Sequence, residues 1–257
     1  MEEKGGFGMI ALQQIGKRYN AGSPDEVRVL ENLSLKLETG SFNILLGANG
    51  SGKSTLLNLL AGTERASQGS ILLNGQDIGG WPVHRRAAHI ARIFQDPLKG
   101  VAPGLSLLEN MRLAALRGKS HRLLIGTGRG FQEEVRERLR QLDMGLEDRI
   151  HQPAGSFSGG QRQAFSLLMA TWNKPDLLLL DEPTAALDPR SATKVFELAC
   201  MLIARDQITA LLVTHDLRHA LQAGNRVLFL RSGELVHDVQ GANKQALSMD
   251  DIRSWFE

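Results

Sequence analysis

The sequence predicts an α/β fold with a mainly helical insertion, on three observations. A short apolar run, Ser41–Leu46, leads through a glycine-rich turn into a helix over Thr55–Ala61. Far downstream, Asp176–Leu180 is a continuous apolar run of the kind found in strands buried on both sides. Between about residues 96 and 165 helical spacing dominates.

In chain order, Met9–Ile15 and Val27–Leu37 read as strands joined by a polar turn through Asn20–Asp25, punctuated by Gly22 and Pro24. Gly69–Leu73 is a further strand, and Asn74-Gly75 after it is a hairpin signal. Ile90–Phe94 is apolar and short, and Gln95-Asp96-Pro97 ends it. Apolar residues then recur at helical spacing from Leu105 to Ala115. In the next helix, Phe131, Val135, Leu139 and Leu142 share one face. The pairs Glu133/Arg136, Glu134/Arg138 and Glu137/Arg140 place opposite charges on the rest of that helix, as on a solvated face. Gly118–Gly130, basic and glycine-rich, reads as a loop. A helix over Ser191–Ala204 and a strand over Ile208–Val213 follow, then a hairpin of Arg226–Leu230 and Glu234–Val239 turning at Ser232-Gly233. In the tail, Ser248 and Asp251 have capping-box spacing, with Ile252, Trp255 and Phe256 expected to seal a short helix onto the domain.

Composition narrows the function. A 42% hydrophobic content over 257 residues supports a substantial core. No run approaches the ~18 apolar residues of a membrane span, and Met1–Gly6 lacks the apolar stretch of a secretory signal. One cysteine, Cys200, excludes an intramolecular disulfide and fits a reducing compartment. A formal charge of +2 gives no electrostatic footprint for nucleic acid.

Residues Gly47–Ser54 read Gly-Ala-Asn-Gly-Ser-Gly-Lys-Ser, a complete phosphate-binding loop between strand and helix. Its glycines let successive N–H groups of Gly47, Ala48, Asn49, Gly50, Ser51 and Gly52 turn toward phosphate oxygens. Lys53 adds positive charge near the outer phosphates, the Ser54 hydroxyl is placed to ligate Mg²⁺, and Thr55 continues the helix whose N-terminus favours the anion. Asp181, closing the buried strand, can hold the metal. Glu182 beside it can polarise an attacking water as general base. Gln95 is either a turn residue or one that touches the metal and the insertion. His215 is either structural or a hydrogen-bond partner of the terminal phosphate. Tyr19, the sole tyrosine, either packs or stacks on a base. Ser158, Gly159, Gly160 and Gln161 open a helix over Gln161–Trp172 and form a second anion-binding N-terminus. One chain thus carries two half-sites, which a symmetric antiparallel dimer would complete.

With these motifs in order, the chain resembles the ATP-binding subunits of ABC transporters over essentially its whole length. The resemblance implies that Tyr19 is the adenine-stacking aromatic, Gly47–Ser54 Walker A, Gln95 the Q-loop glutamine and Ser158–Gln161 the signature. Leu177–Glu182 would be Walker B with its catalytic glutamate, Ala186-Leu187-Asp188 the D-loop and His215 the switch histidine. Lys53, Glu182 and His215 are then catalytic, and Ser54, Gln95 and Asp181 hold Mg²⁺. One position departs: Phe157 stands where the signature usually opens with leucine, and it is expected to pack under the helical part. The implied fold is a P-loop NTPase core with a mixed sheet, an N-terminal antiparallel β subdomain and an inserted helical subdomain. The implied division is a single domain over residues 9–257: core at 9–95 and 166–240, helical signature subdomain at 96–165, tail at 241–257. A homodimer would close around Mg·ATP and pass its motion to separate integral membrane permease subunits at the cytoplasmic face of the membrane. Gln95–Gly100, Leu167–Thr171 and Thr184–Pro189 resemble a bacterial group working with a periplasmic or lipoprotein substrate-binding protein, in uptake of aromatic amino acids or related solutes. An exporter or lipoprotein-release role is the alternative. Action on DNA or ribosomes is disfavoured by the compact insertion between Lys53 and Ser158, the single cassette and the near-neutral charge, and a non-hydrolysing regulator by the intact Lys53, Glu182 and His215.

Overall fold

The computed structural model describes residues 10–119 and 126–257. Met9 of the first expected strand and residues 120–125 of the expected loop lie outside the described residues. The elements run β1 (Ile10–Tyr19), β2 (Val27–Leu37), β3 (Phe42–Leu46), α1 (Lys53–Ala61), β4 (Gln68–Leu73), β5 (Gln76–Asp77), α2 (Val83–Arg86) and β6 (Ile90–Ile93). There follow α3 (Leu107–Leu116), α4 (Arg129–Arg140), α5 (Gly159–Thr171), β7 (Leu177–Asp181), α6 (Pro189–Asp206), β8 (Ala210–Val213) and α7 (Leu217–Gln222). The chain finishes with β9 (Arg226–Arg231), β10 (Glu234–Gln240), α8 (Gly241–Gln245) and α9 (Met249–Ser254). They form two compact units, one reaching to Arg86 and resuming at Gln207–Glu257, the other spanning Ala87–Asp206.

The first unit contains an antiparallel sheet in the order β2-β1-β4-β5. β1 runs further than its apolar run suggests, to Tyr19. Irregularities in its register near Ile15 let polar residues into the strand without turning Ile10, Leu12 and Ile15 out of the core. Beside this sheet in sequence, β3 is flanked by β8 and β9, both parallel to it, and β10 closes the hairpin antiparallel to β9. Asn43–Leu46 are all buried, which is why β3 reads as apolar apart from Asn43, whose amide donates to the Ala210 carbonyl at 3.1 Å. Leu45 pairs with Val213, so β3 and β8 end at the same edge and release the phosphate loop and Thr214–His215 side by side. That edge, the carboxyl end of parallel strands, is where ligands bind in open α/β sheets.

The second unit pairs β6 with β7 in parallel, from Ile90–Leu177 to Ile93–Leu180. Its helices follow the expected pattern. Val135, Leu139 and Leu142 of α4 and its following turn are buried. The three charge pairs opposite them form at 2.8, 3.4 and 2.7 Å. Several boundaries shift. α4 already includes Arg129 and Gly130 from the expected loop, α5 starts two residues early at Gly159, and α6 spans Pro189–Asp206 rather than Ser191–Ala204; in the first unit, β8 starts at Ala210 rather than Ile208. In the tail of the first unit the Ser248–Asp251 capping box forms, and Ile252 and Trp255 are buried. Phe256 corrects the expected seal: it is 41% exposed and meets Phe229 edge-on at 4.9 Å. Among the described residues no helix is long and apolar enough to cross a membrane.

Candidate functional site

The phosphate loop takes the conformation its glycines permit. Gly52 caps α1 with φ 104°, a left-handed backbone that disfavours any side chain. At Gly47 a Cβ would collide with the carbonyl oxygen of Leu230 in the neighbouring strand. No side chain caps α1 and its first turn holds no acidic residue, so its N-terminal N–H groups have no built-in partner of that kind among the described residues. By contrast, α3 and α9 close their N-termini with Ser106/Glu109 and Ser248/Asp251 boxes. An uncapped helix dipole behind a glycine loop is an anion seat. The Lys53 ammonium is folded back, donating to the carbonyls of Gly47 at 2.7 Å and Ala48 at 2.8 Å, and so holds the loop closed from within. Ser54 is exposed and Thr55 half-buried, on the first turn of α1. Asn49 and Gly50 are exposed at the tip, and Ser51 is buried beneath them. A cavity of about 300 Å³ separates this tip from Phe229, Arg231, Trp255 and Phe256, a neighbour of the loop that nothing in the sequence signalled.

Tyr19 ends β1 half-buried. Its hydroxyl donates to the Glu64 carboxylate, and the Lys17 ammonium stands 4.6 Å over its ring. Burial, then the bond to Glu64, raises the tyrosine pKa. Burial opposes ionisation of Glu64, yet the bonds from Tyr19, Asn58 and Lys17 together lower its pKa. The ring is thereby anchored at its polar end to the segment following α1.

His215 is exposed just beyond β8. A residue the sequence reading missed supports it: His219 on α7, whose Nδ1 lies 3.2 Å from the Thr214 hydroxyl. That hydroxyl also accepts from the Asp216 N–H at 3.1 Å, so the turn carrying His215 is pinned from both sides. Burial holds the His219 pKa below its usual value, with the nearby Asp216 carboxylate opposing and Arg218 assisting.

In the second unit, the parallel pairing of β6 and β7 brings Gln95 and Asp181–Glu182 to one edge. Arg92 donates to one Asp181 carboxylate oxygen at 2.6 Å, both side chains being largely buried. Glu182 adopts φ 45°, left-handed for a non-glycine residue. Ser158 is the N-cap of α5. Its hydroxyl accepts from the Gln161 N–H at 3.2 Å and the Gln161 side-chain oxygen accepts from the Ser158 N–H at 3.1 Å. The box is neutral, so Gly159 and Gly160 open the helix with no carboxylate to cancel its dipole. Gly160 has no room for a side chain, since a Cβ would lie 2.7 Å from Ser191. Phe157 is 4% exposed, as expected of its apolar ring, and the Arg149 guanidinium covers it at 4.4 Å. Asp188 accepts from the Ser191 N–H at 3.0 Å and begins α6.

Each unit carries a hard-oxygen donor of its own, the Ser54 hydroxyl in the first and the Asp181 carboxylate in the second. No cluster of three or more His, Cys, Asp or Glu side chains able to hold an ion occurs among the described residues. That sparse set fits Mg²⁺, which keeps waters and shares substrate phosphates rather than filling an all-protein cage.

Known proteins resemble this chain over most of its length. Residues 30–185 match the family model described as ABC transporter. A tyrosine transport ATP-binding protein of Clostridioides difficile is 36% identical over 97% of this chain and 99% of its own length. An aliphatic sulfonates import ATP-binding protein of Paraburkholderia xenovorans is 36% identical over 89% of this chain and 59% of its own. A dimeric ATP-binding cassette in a post-hydrolysis state with ADP and Pi superposes with a TM-score of 0.76. It is 27% identical, and the match covers 90% of this chain and 98% of that one.

Proposed function

From the premise that the chain belongs to the ABC transporter family and is its ATP-binding, ATP-hydrolysing subunit, we propose that it energises uptake of a small, amino-acid-like solute. Two chains would close on two Mg·ATP, each phosphate loop facing its partner's Ser158–Gln161. Separate permease subunits at the cytoplasmic face of the membrane, served by a substrate-binding protein, would take up the motion. Import and the solute class rest on the relatives named for tyrosine and sulfonate transport. Dimerisation rests on the dimeric cassette.

One observation supports the reading: α1, behind a lysine-closed glycine loop, and α5, behind a neutral serine box, both begin with no acidic residue in the first turn, as an anion-binding N-terminus requires. A single nucleotide site needs only the first. In the proposed mechanism the loop amides and Lys53 bind the phosphates, and Tyr19 stacks on the base. Asp181, Ser54 and Gln95 would hold Mg²⁺, which would neutralise charge on the transferring phosphoryl group. Glu182 accepts a proton from water as the water oxygen attacks the γ-phosphorus and the bond to the bridging oxygen of ADP breaks. His215 would donate a hydrogen bond to the departing phosphate.

The test is reconstitution with the candidate permease in lipid, measuring ATPase activity and uptake together. Glu182→Gln is expected to abolish turnover and to trap an ATP-bound dimer visible by size exclusion. Unchanged turnover would remove Glu182 as the base, and a trapped form that stays a lone protomer would remove the two-half-site arrangement.

A further inference from the structure

We propose that Gln163 is a positioning residue for hydrolysis, its side-chain NH₂ group holding the residues next to Gln95 and Glu182 in fixed relation to the helix headed by Ser158. The proposal rests on the roles assigned to those three residues above. Gln163 lies on α5, five positions beyond Ser158, and is 1% exposed. Its Nε2 donates to the Phe94 carbonyl at 2.9 Å and to the Pro183 carbonyl at 2.8 Å. Two carbonyl acceptors consume both N–H groups of one amide nitrogen, which fixes the end of the amide that faces them. Phe94 immediately precedes Gln95, and Pro183 immediately follows Glu182.

The backbone at Glu182 shows why a clamp is needed there. A non-glycine residue at φ 45° sits in a sparsely populated region and persists only where its surroundings over-determine it. The turn bond from the Ala185 N–H to the Glu182 carbonyl, 3.1 Å, is one constraint, and the Gln163 bond to the next carbonyl is another. Burying an amide on α5, where Ala164, Phe165, Leu167 and Leu168 are also buried, is costly unless its hydrogen bonds are made. An apolar residue would suit that helix face better if packing were its whole purpose. Gln163 itself touches no reacting group. It links the strand end bearing the glutamine proposed to hold Mg²⁺ to the strand end bearing the proposed base, through the helix that would meet the partner's nucleotide. A shift of ~1 Å at such a site can lower a rate on the order of 100-fold without altering substrate affinity.

The test is Gln163→Met, similar in length but without donors, in the purified full chain beside wild type. Fluorescent ATP-analogue affinity, steady-state KM and kcat, and thermal melting are read on both. We expect affinity and KM within about threefold of wild type and kcat lower by roughly 10–100-fold in a folded protein. A kcat within about twofold of wild type would overturn the proposal, and so would turnover and nucleotide affinity falling together. Should Q163M not fold, Q163N, one methylene short of reaching both carbonyls, carries the same test. Loss of folding in both would assign Gln163 to stability alone and overturn the proposal. A wild-type chain without ATP turnover would instead count against the assigned function.

Discussion

Replacing Arg86 with methionine should destabilise the first unit by an amount that can be worked out bond by bond. Arg86 is 2% exposed, and its guanidinium ends α1 from the side. Nη1 donates to Leu59 at 2.5 Å and Leu60 at 3.2 Å, and Nη2 to Ile78 at 2.6 Å and Gly79 at 3.0 Å. Two of those acceptors belong to the last turn of α1, where carbonyls have no partner within the helix. The positive charge also complements the negative end of the helix dipole. Burial pulls the Arg86 pKa down, with Asp77 acting against it as a counter-charge. At about 1.5–3 kcal/mol for each bond from a charged donor, four bonds amount to roughly 6–12 kcal/mol gross. Removing a buried cation also removes a desolvation penalty of several kcal/mol, which leaves a net loss of about 3–5 kcal/mol. For a chain of this size that is a fall in melting temperature of roughly 6–20 °C. Circular-dichroism melts of Arg86→Met and wild type check it. Nucleotide affinity in the folded variant should change little, because the phosphate loop sits at the opposite end of α1. A variant melting within about 2 °C of wild type would refute the view that the guanidinium satisfies those carbonyls.

Three further outcomes follow from the site. Arg92→Met leaves the Asp181 carboxylate without its 2.6 Å partner, so the nucleotide-free protein should lose about 1–3 kcal/mol; Mg·ATP should then raise its melting temperature by more than it does for wild type, and an equal gain would mean that Arg92 and the metal do not share the carboxylate. Because burial holds the His219 pKa below its unfolded value near 6.5, the neutral ring stabilises the fold fully above that pH, and this contribution declines as pH falls from there toward the folded value. Denaturant titrations from pH 7.5 to 5 should show that slope in wild type and a shallower one in His219→Gln. Ser158→Ala removes the N-cap of α5 and should cost about 1 kcal/mol in thermal stability. Its ATPase activity, measured in the same preparation, should fall far more than that loss accounts for.

The contrast between what was and was not legible is one of range. Phosphate loop, strand ends and capping signals are local patterns, and the structure places Gly47–Ser54 behind β3, Gln95 after β6 and Ser158 at the head of α5 where the pattern put them. The charge pairs of α4 were readable for the same reason, since three- and four-residue spacing on a helix fixes which side chains meet. Short helices such as α2 and α7 escaped because four to six residues carry too little periodicity to register. Arg86, Gln163 and His219 escaped for a different reason. Each binds partners chosen by the fold rather than by spacing, and in two of the three those partners are backbone carbonyls, which look identical at every position in a sequence.

That distinction bears on how the site works. The residues that would touch ATP announce themselves, because phosphate and metal chemistry demands particular groups at particular spacings. The residues that hold those groups still do not, because any long polar side chain of the right reach could serve. In this chain three buried polar side chains are such holders. Arg86 clamps the far end of α1, Gln163 joins the segments beside Gln95 and Glu182, and Asn110 bonds through its amide nitrogen to the carbonyls of Ala102, Leu105 and Ser106. A buried polar group costs free energy unless every bond is made, so each of these clamps is stable in only one arrangement of its loops. Substitutions at the nucleotide contacts should therefore alter affinity or chemistry in a nearly native fold. Substitutions at the clamps should shift loop geometry, and with it the rate, before they alter binding.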